Sequence, residues 1–132
     1  MGQVRRCKAC KEDFPIARFY LNGSGKPEGM CKQCRNIQKE AVRRKHKIKF
    51  IKLLNKRRKV ECERCGYKKS FAAIDFHHTG EKILNISKAI GKLSSKSFVN
   101  GRANEILMEI DSCEILCSNC HREEHEKHPF DI

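Results

Sequence analysis

The chain has 132 residues, with 29 Lys and Arg against 16 Asp and Glu, a formal net charge of +13, nine Cys and no Trp. With 39% hydrophobic residues it can hold one ordinary domain or two small ones; a large aliphatic core is not expected, and small units of this kind need another staple. No secretory leader pattern or 18-residue apolar run is present, and the Met-Gly start lacks the Ser or Thr of a myristoylation motif; the expectation is an intracellular, cytoplasmic protein with no membrane partner, whose charge points to a polyanion.

Eight of the nine cysteines fall into CxxC pairs: Cys7/Cys10, Cys31/Cys34, Cys62/Cys65 and Cys117/Cys120. In a reducing compartment such pairs are read as zinc ligands rather than as a disulfide framework. Cys113 is left over and is expected to be a small buried apolar residue. The charge is unevenly placed: residues 1–60 carry 19 Lys and Arg against 4 acids, residues 61–132 carry 10 against 12. One strongly basic half beside one near-neutral half suits a functional core carrying its own grip on nucleic acid.

The first module, residues 1–35, has a knuckle at Cys7–Cys10, a strand from Phe14 to Phe19 around Pro15, and a turn-rich loop at 22–27. Cys31–Cys34 then opens a helix. A knuckle, a hairpin and a second CxxC at a helix start form a treble-clef-like plan, with Cys7, Cys10, Cys31 and Cys34 holding one structural Zn²⁺. From Arg35 to Lys59 there is no Gly or Pro, and 12 of 25 residues are Lys or Arg. The spacing predicts a long basic helix, residues 36–59, joining the two modules. Ile37, Ala41, Ile48, Ile51 and Leu54 share one stripe, while Arg43, Arg44, Lys47, Lys52, Lys56, Arg57 and Arg58 are available to phosphates.

The second module, residues 60–132, opens on the knuckle Cys62–Cys65 with Gly66 at its turn. A strand is expected from Phe71 to His78, a short helix near Ser87 to Leu93, and a polar loop at 94–97. A helix from Arg102 to Asp111 has Ile106, Leu107 and Ile110 on one face. A strand at Glu114–Leu116 feeds Cys117, and a last helix runs from Ser118 to Lys127. Cys62, Cys65, Cys117 and Cys120 complete a second structural Zn²⁺ site.

That leaves a histidine set outside the cysteine sites. His121 and His125 are four apart on one helix, so their rings point the same way. His77 and His78 are neighbours on a strand and face opposite sides, so one can bind a metal with His121 while the other faces substrate. Asp75, on the His77 face, is placed to orient that ring or to join the metal itself. Three imidazoles favour transition metals over Mg²⁺, so Mn²⁺, Ni²⁺ or Co²⁺ are expected to serve as well as Mg²⁺ unless Asp75 contributes.

The run Asp75-Phe76-His77-His78, followed by Cys117-Ser118-Asn119-Cys120-His121-Arg122-Glu123-Glu124-His125, resembles the HNH endonucleases, a family with a ββα-metal core often braced by a four-cysteine zinc. The resemblance covers Cys62 to His125, and the leading four-cysteine module is similar to the layout of small HNH restriction and phage proteins. It implies an α+β protein stabilised by zinc, with a treble-clef-like finger, a basic helix and a C-terminal HNH core. It also implies that His78 is the general base acting on water, and that His77 and His121 ligate a catalytic divalent metal with His125 as a further ligand. The family's middle Asn falls at Ser112 or Asp111 here, and Ser112 would take part in the catalytic set. The products would carry 5′-phosphates.

The expected activity is therefore metal-dependent hydrolysis of double-stranded DNA, of restriction, homing or phage type. Cutting both strands with one site per chain calls for a homodimer. The alternative is a zinc-dependent DNA- or RNA-binding protein that does not cut. Its charge and double CxxC plan are the same, but it has no use for the extra histidines. A structural adaptor ranks third.

Overall fold

The structure is a computed structural model and describes residues 2–126. The chain forms two compact units, Met1–Arg44 and Lys45–Ile132, with the division falling inside one helix.

In the first unit, strand β1 (Val4–Arg6) pairs antiparallel with β2 (Asp13–Pro15), and β3 (Phe19–Leu21) pairs with β4 (Pro27–Cys31). The knuckle between β1 and β2 closes through Lys11 N–H to Cys7 O at 3.0 Å, with Lys11 itself left-handed at φ 65°. The single strand expected from Phe14 to Phe19 is split in two. Pro15 has no N–H to extend a ladder, and a 3₁₀ turn at Ile16–Arg18 re-aims the chain before β3 begins. The loop between β3 and β4 is tied by Asn22, whose Oδ1 accepts from Ser24 N–H and Lys26 N–H, both at 3.0 Å. The buried core amounts to Cys7, Phe19 and Cys31, flanked by Phe14, Met30 and Cys34. Half of that cluster is cysteine, so apolar burial alone cannot carry this unit.

Helix α1 runs without interruption from Lys32 to Arg57. The expected stripe is only partly used. Ile37 and Ile48 are exposed at 64% and 47%, while Leu54 and the unforeseen Phe50 are fully buried. The burial is decided locally: beyond Cys34 in the first turn, the helix meets an apolar cluster through its last turns, and Phe50 and Leu54 are one turn apart on the side that meets it.

In the second unit those two side chains pack with Ile86, Ala89 and Ile90 of α2 (Ile86–Gly91), with Ala103, Ile106, Leu107 and Ile110 of α3 (Arg102–Asp111), and with Leu93 and Cys113. Asn85 caps α2 by accepting from Lys88 N–H at 3.1 Å. The loop expected at 94–97 contains a 3₁₀ turn, Ser95–Phe98. Strand β5 (Ile74–His78) is shorter than expected because Phe71–Ala73 forms a 3₁₀ turn capped by Ser70. It pairs antiparallel with β6 (Cys113–Cys117), with Asp75 opposite Leu116, His77 opposite Glu114 and His78 opposite Cys113. Helix α4 (Ser118–His125) follows directly, so two strands and a helix form a ββα unit. Lys127, expected in that helix, lies outside the described residues, as does His128.

Two arginines expected to face phosphate are bound within this unit. Arg57 forms a two-pronged pair with Asp111, its Nε 2.9 Å from Oδ1. Arg58 donates to the carbonyls of Ile110 and Cys113 at 2.9 and 2.6 Å and to Glu63 Oε1 at 2.7 Å. Glu63 in turn accepts from the N–H of Ile115. The end of α1 is thereby clamped to the α3–β6 corner by guanidinium forks that lysines would not reproduce.

Candidate metal centres and histidine site

The two four-cysteine sets have one plan. In each, the first and third cysteines are buried, the second is exposed and the fourth is intermediate, with all four Sγ atoms within 4.8 Å of one another. None of the nine cysteines is in a disulfide. Tetrahedral zinc with Zn–S near 2.3 Å needs sulfurs about 3.8 Å apart, and Cys65 Sγ and Cys117 Sγ are separated by 3.6 Å. Backbone donors already face the sulfurs: Cys31 N–H to Cys7 Sγ at 3.3 Å, Cys34 N–H to Cys31 Sγ at 3.5 Å, and Cys120 N–H to Cys117 Sγ at 3.5 Å.

These donors favour thiolate, the form a metal binds. Burial opposes ionisation of Cys7, yet the N–H groups of Cys31, Cys10 and Ala9 outweigh it and bring its thiol down to about 6. Cys62 is brought down to about 6 in the same way, against burial, by the N–H groups of Cys117, Cys65 and Arg64. The fourth cysteines move the other way: Cys34, hydrogen-bonded to Cys31, is pushed up to about 12, and Cys120, bonded to Cys117, is also pushed up. Compact, soft, closed sulfur sets of this kind fit structural zinc, and both can hold such an ion. Cys113 stands apart: it is 4% exposed in the core, and burial pushes its thiol up to about 11.

A third group lies on the ββα unit. His77 from β5 and His121 and His125 from α4 bring one ring nitrogen each within 4.8 Å of the others. The Nε2 atoms of His121 and His125 are 3.1 Å apart, within the roughly 3.0–3.4 Å span of two imidazole nitrogens on one cation at about 2.1 Å. His77 and His121 are half-buried and His125 is exposed, so the group opens to solvent. Cysteines of the second four-sulfur set aim this helix: Cys117 caps α4 through its sulfur, and Cys120 directly precedes His121. Arg64, on the second knuckle, adds a brace by pairing with Glu114 of β6 at 3.3 Å and with Glu124 of α4.

Asp75 lies outside this group of three. Its Oδ2 is 3.0 Å from Nδ1 of His121, behind that ring, so it engages His121 and not the His77 ring it was expected to orient. The contact assigns the Nδ1 proton to a carboxylate partner and leaves Nε2 for a cation.

The strand pleat sends His78 to the opposite face. Its Nε2 is 2.9 Å from Oε1 of Glu109, and its side chain is 15% exposed. The same Glu109 oxygen accepts from Ile83 N–H at 3.0 Å and Leu84 N–H at 3.4 Å. Burial pushes the Glu109 carboxyl up, but the two N–H groups and His78 outweigh it and hold it below its ordinary 4.5. Ser112 is not placed on the His78 ring: its hydroxyl donates to the Glu109 carbonyl at 2.8 Å. Asp111, the other candidate for that role, is committed to Arg57.

Glu109 and Arg64 were not anticipated. For Glu109 a signal existed: it sits one turn from Ile106 on the inward stripe of α3, where a carboxylate is out of place. For Arg64 none did, since its partners are 50 and 60 residues away. Of the basic residues expected to meet phosphate, Arg43, Arg44, Lys47, Lys52 and Lys56 are exposed on α1, with Lys47 Nζ also 5.3 Å above the Phe71 ring. No described helix is long and apolar enough to cross a membrane. No family model, curated protein or solved structure matches the chain.

Proposed function

We propose that the chain is a metal-dependent endonuclease of the HNH type, hydrolysing phosphodiester bonds of double-stranded DNA to leave 5′-phosphates. The observation that carries this reading is the open three-imidazole group of His77, His121 and His125, built on a ββα unit that already has a complete four-cysteine site. A zinc site that only braces a fold needs four ligands and no solvent-facing remainder. His77, His121 and His125 would hold a divalent cation, Mn²⁺, Ni²⁺ or Co²⁺ as readily as Mg²⁺, with Asp75 orienting His121 from behind. Such a cation, when bound, supplies charge stabilisation at the scissile phosphate and the leaving 3′ oxygen. His78 is the general base, accepting the proton of the attacking water. The exposed cations Arg43, Arg44, Lys47, Lys52 and Lys56 hold the phosphate backbone without reading sequence. Two chains, each cutting one strand, account for double-strand cleavage.

A second reading has one observation in its favour: His78 is tied to a buried carboxylate and is only 15% exposed, as suits a residue serving the fold. The protein would then bind nucleic acid through zinc modules and α1 without cutting. Plasmid cleavage by the zinc-loaded protein with Mn²⁺, Mg²⁺ or EDTA, beside His78→Ala, separates the two. Metal-dependent cuts that vanish in His78→Ala while DNA affinity stays within about twofold support the nuclease. Tight binding with no cuts in any metal, on randomised as well as plasmid DNA, supports the second reading.

A further inference from the structure

Glu109 is the one described acid that the fold places almost wholly inside: it is 6% exposed, on the stripe of α3 otherwise made of Ala103, Ile106, Leu107 and Ile110. A buried carboxylate is costly unless donors meet it. Three do, all on Oε1: the N–H groups of Ile83 and Leu84, and Nε2 of His78. The backbone of Glu109 is also pinned, its carbonyl accepting from the Ser112 hydroxyl at 2.8 Å and from Cys113 Sγ at 3.4 Å. All three favour the carboxylate, and the histidine is the one partner of the three that can itself become charged.

We propose that Glu109 is the positioning residue for His78, holding its proton on Nε2 so that Nδ1 presents the basic lone pair. This rests on the reading of His78 as general base. No described residue hydrogen-bonds His78 Nδ1, so that nitrogen is the one left to meet water. In the hydrolytic step the water oxygen bonds to phosphorus as the bond from phosphorus to the 3′ oxygen breaks. The water proton passes to His78 Nδ1, and the departing 3′ oxygen takes a proton from solvent. His78 is then an imidazolium, and its charge develops 2.9 Å from a carboxylate that is already in place and buried. A fixed partner on the far ring nitrogen both selects the tautomer and stabilises the charge that forms. Ser112 serves the same arrangement one step back, by fixing the Glu109 backbone.

The test uses the full zinc-loaded chain, wild type and Glu109→Gln, which keeps the shape and an acceptor but loses the charge. Three readouts are taken: the His78 ring tautomer by ¹⁵N NMR, the single-turnover cleavage rate with Mn²⁺, and DNA affinity. The expected results are an Nε2–H tautomer in the wild type and, in Glu109→Gln, a cleavage rate at least about tenfold lower with DNA affinity within about twofold. Helicity and zinc content, measured alongside, are expected to be unchanged. An Nδ1–H tautomer in the wild type overturns the proposal, as does a Glu109→Gln protein that cuts at the wild-type rate. If the wild type cuts nothing while His78 carries its proton on Nε2, the nuclease reading fails and a catalytic use of the pair falls with it. An active wild type with an indifferent Glu109→Gln defeats Glu109 alone.

Discussion

Asp75 offers the sharpest test of the histidine site, because it acts on the proposed cation only through His121. Asp75→Asn keeps the size of the side chain and an oxygen that can still accept from Nδ1–H of His121, so the ring stays aimed while the charge behind it is lost. Outer carboxylates on metal-bound histidines are worth roughly 10–100-fold in metal affinity. Here the Asp75 side chain is 39% exposed and that of His121 25%, so water screens part of the charge and the lower end applies. The expected loss for Asp75→Asn is about tenfold in dissociation constant, or about 1.4 kcal/mol. Asp75→Ala also frees the ring to rotate and is expected to approach about 100-fold. The assay is a Co²⁺ titration of protein whose four-cysteine sites are already filled with zinc, read from the visible bands of the histidine-bound ion, with His121→Ala as the zero. Wild-type affinity in Asp75→Ala beside lost binding in His121→Ala would refute the reasoning, because the carboxylate would then do nothing for the ring it touches.

Phe50→Ala removes a fully buried ring from the largest apolar cluster and is expected to lower the stability of the second unit by about 3–5 kcal/mol, with a denaturation midpoint equal to wild type counting against that packing. Charge reversal at Arg43, Arg44 and Lys47 is expected to weaken DNA binding and to reduce the slope of log affinity against log salt by about one per residue; an unchanged slope would return α1 to the status of a connector. The hydrogen bond and charge of Arg57 hold the Asp111 carboxyl below its ordinary 3.8, so its contribution is present above that value and is lost as pH falls through the lower folded-state value. Asp111→Asn should therefore be less stable than wild type at neutral pH, with the gap in denaturation midpoint closing at strongly acid pH. A gap that stays constant with pH would show that the pair contributes no ionic stabilisation.

Two features of this protein were legible in sequence because they depend on local spacing. The CxxC pairs announce two four-sulfur sets whatever encloses them, since two residues between cysteines return both sulfurs to one side of a knuckle. The period of Ile106, Leu107 and Ile110 marks the inward face of α3, and the i, i+4 spacing of His121 and His125 stacks their rings on α4, each within a single element. Strand alternation likewise separates His77 from His78 before any partner is known. What spacing could not supply is the identity of partners across the fold. Asp75 meets His121 and not His77 because α4 lies over the Asp75 face of β5, a packing relation between residues 46 apart. Glu109 meets His78 across 31 residues, and Arg57 and Arg58 fold back onto their own unit because the α3–β6 corner presents Asp111 and the carbonyls of Ile110 and Cys113 where α1 ends. Phe50 was missed for the same reason: a long basic helix has several candidate stripes, and only the elements packed on its last turns decide which one is buried. Sequence sets which side chains share a face. The long-range packing of those faces decides which charges are paired, which are left for a ligand, and which imidazole nitrogen is left with a lone pair.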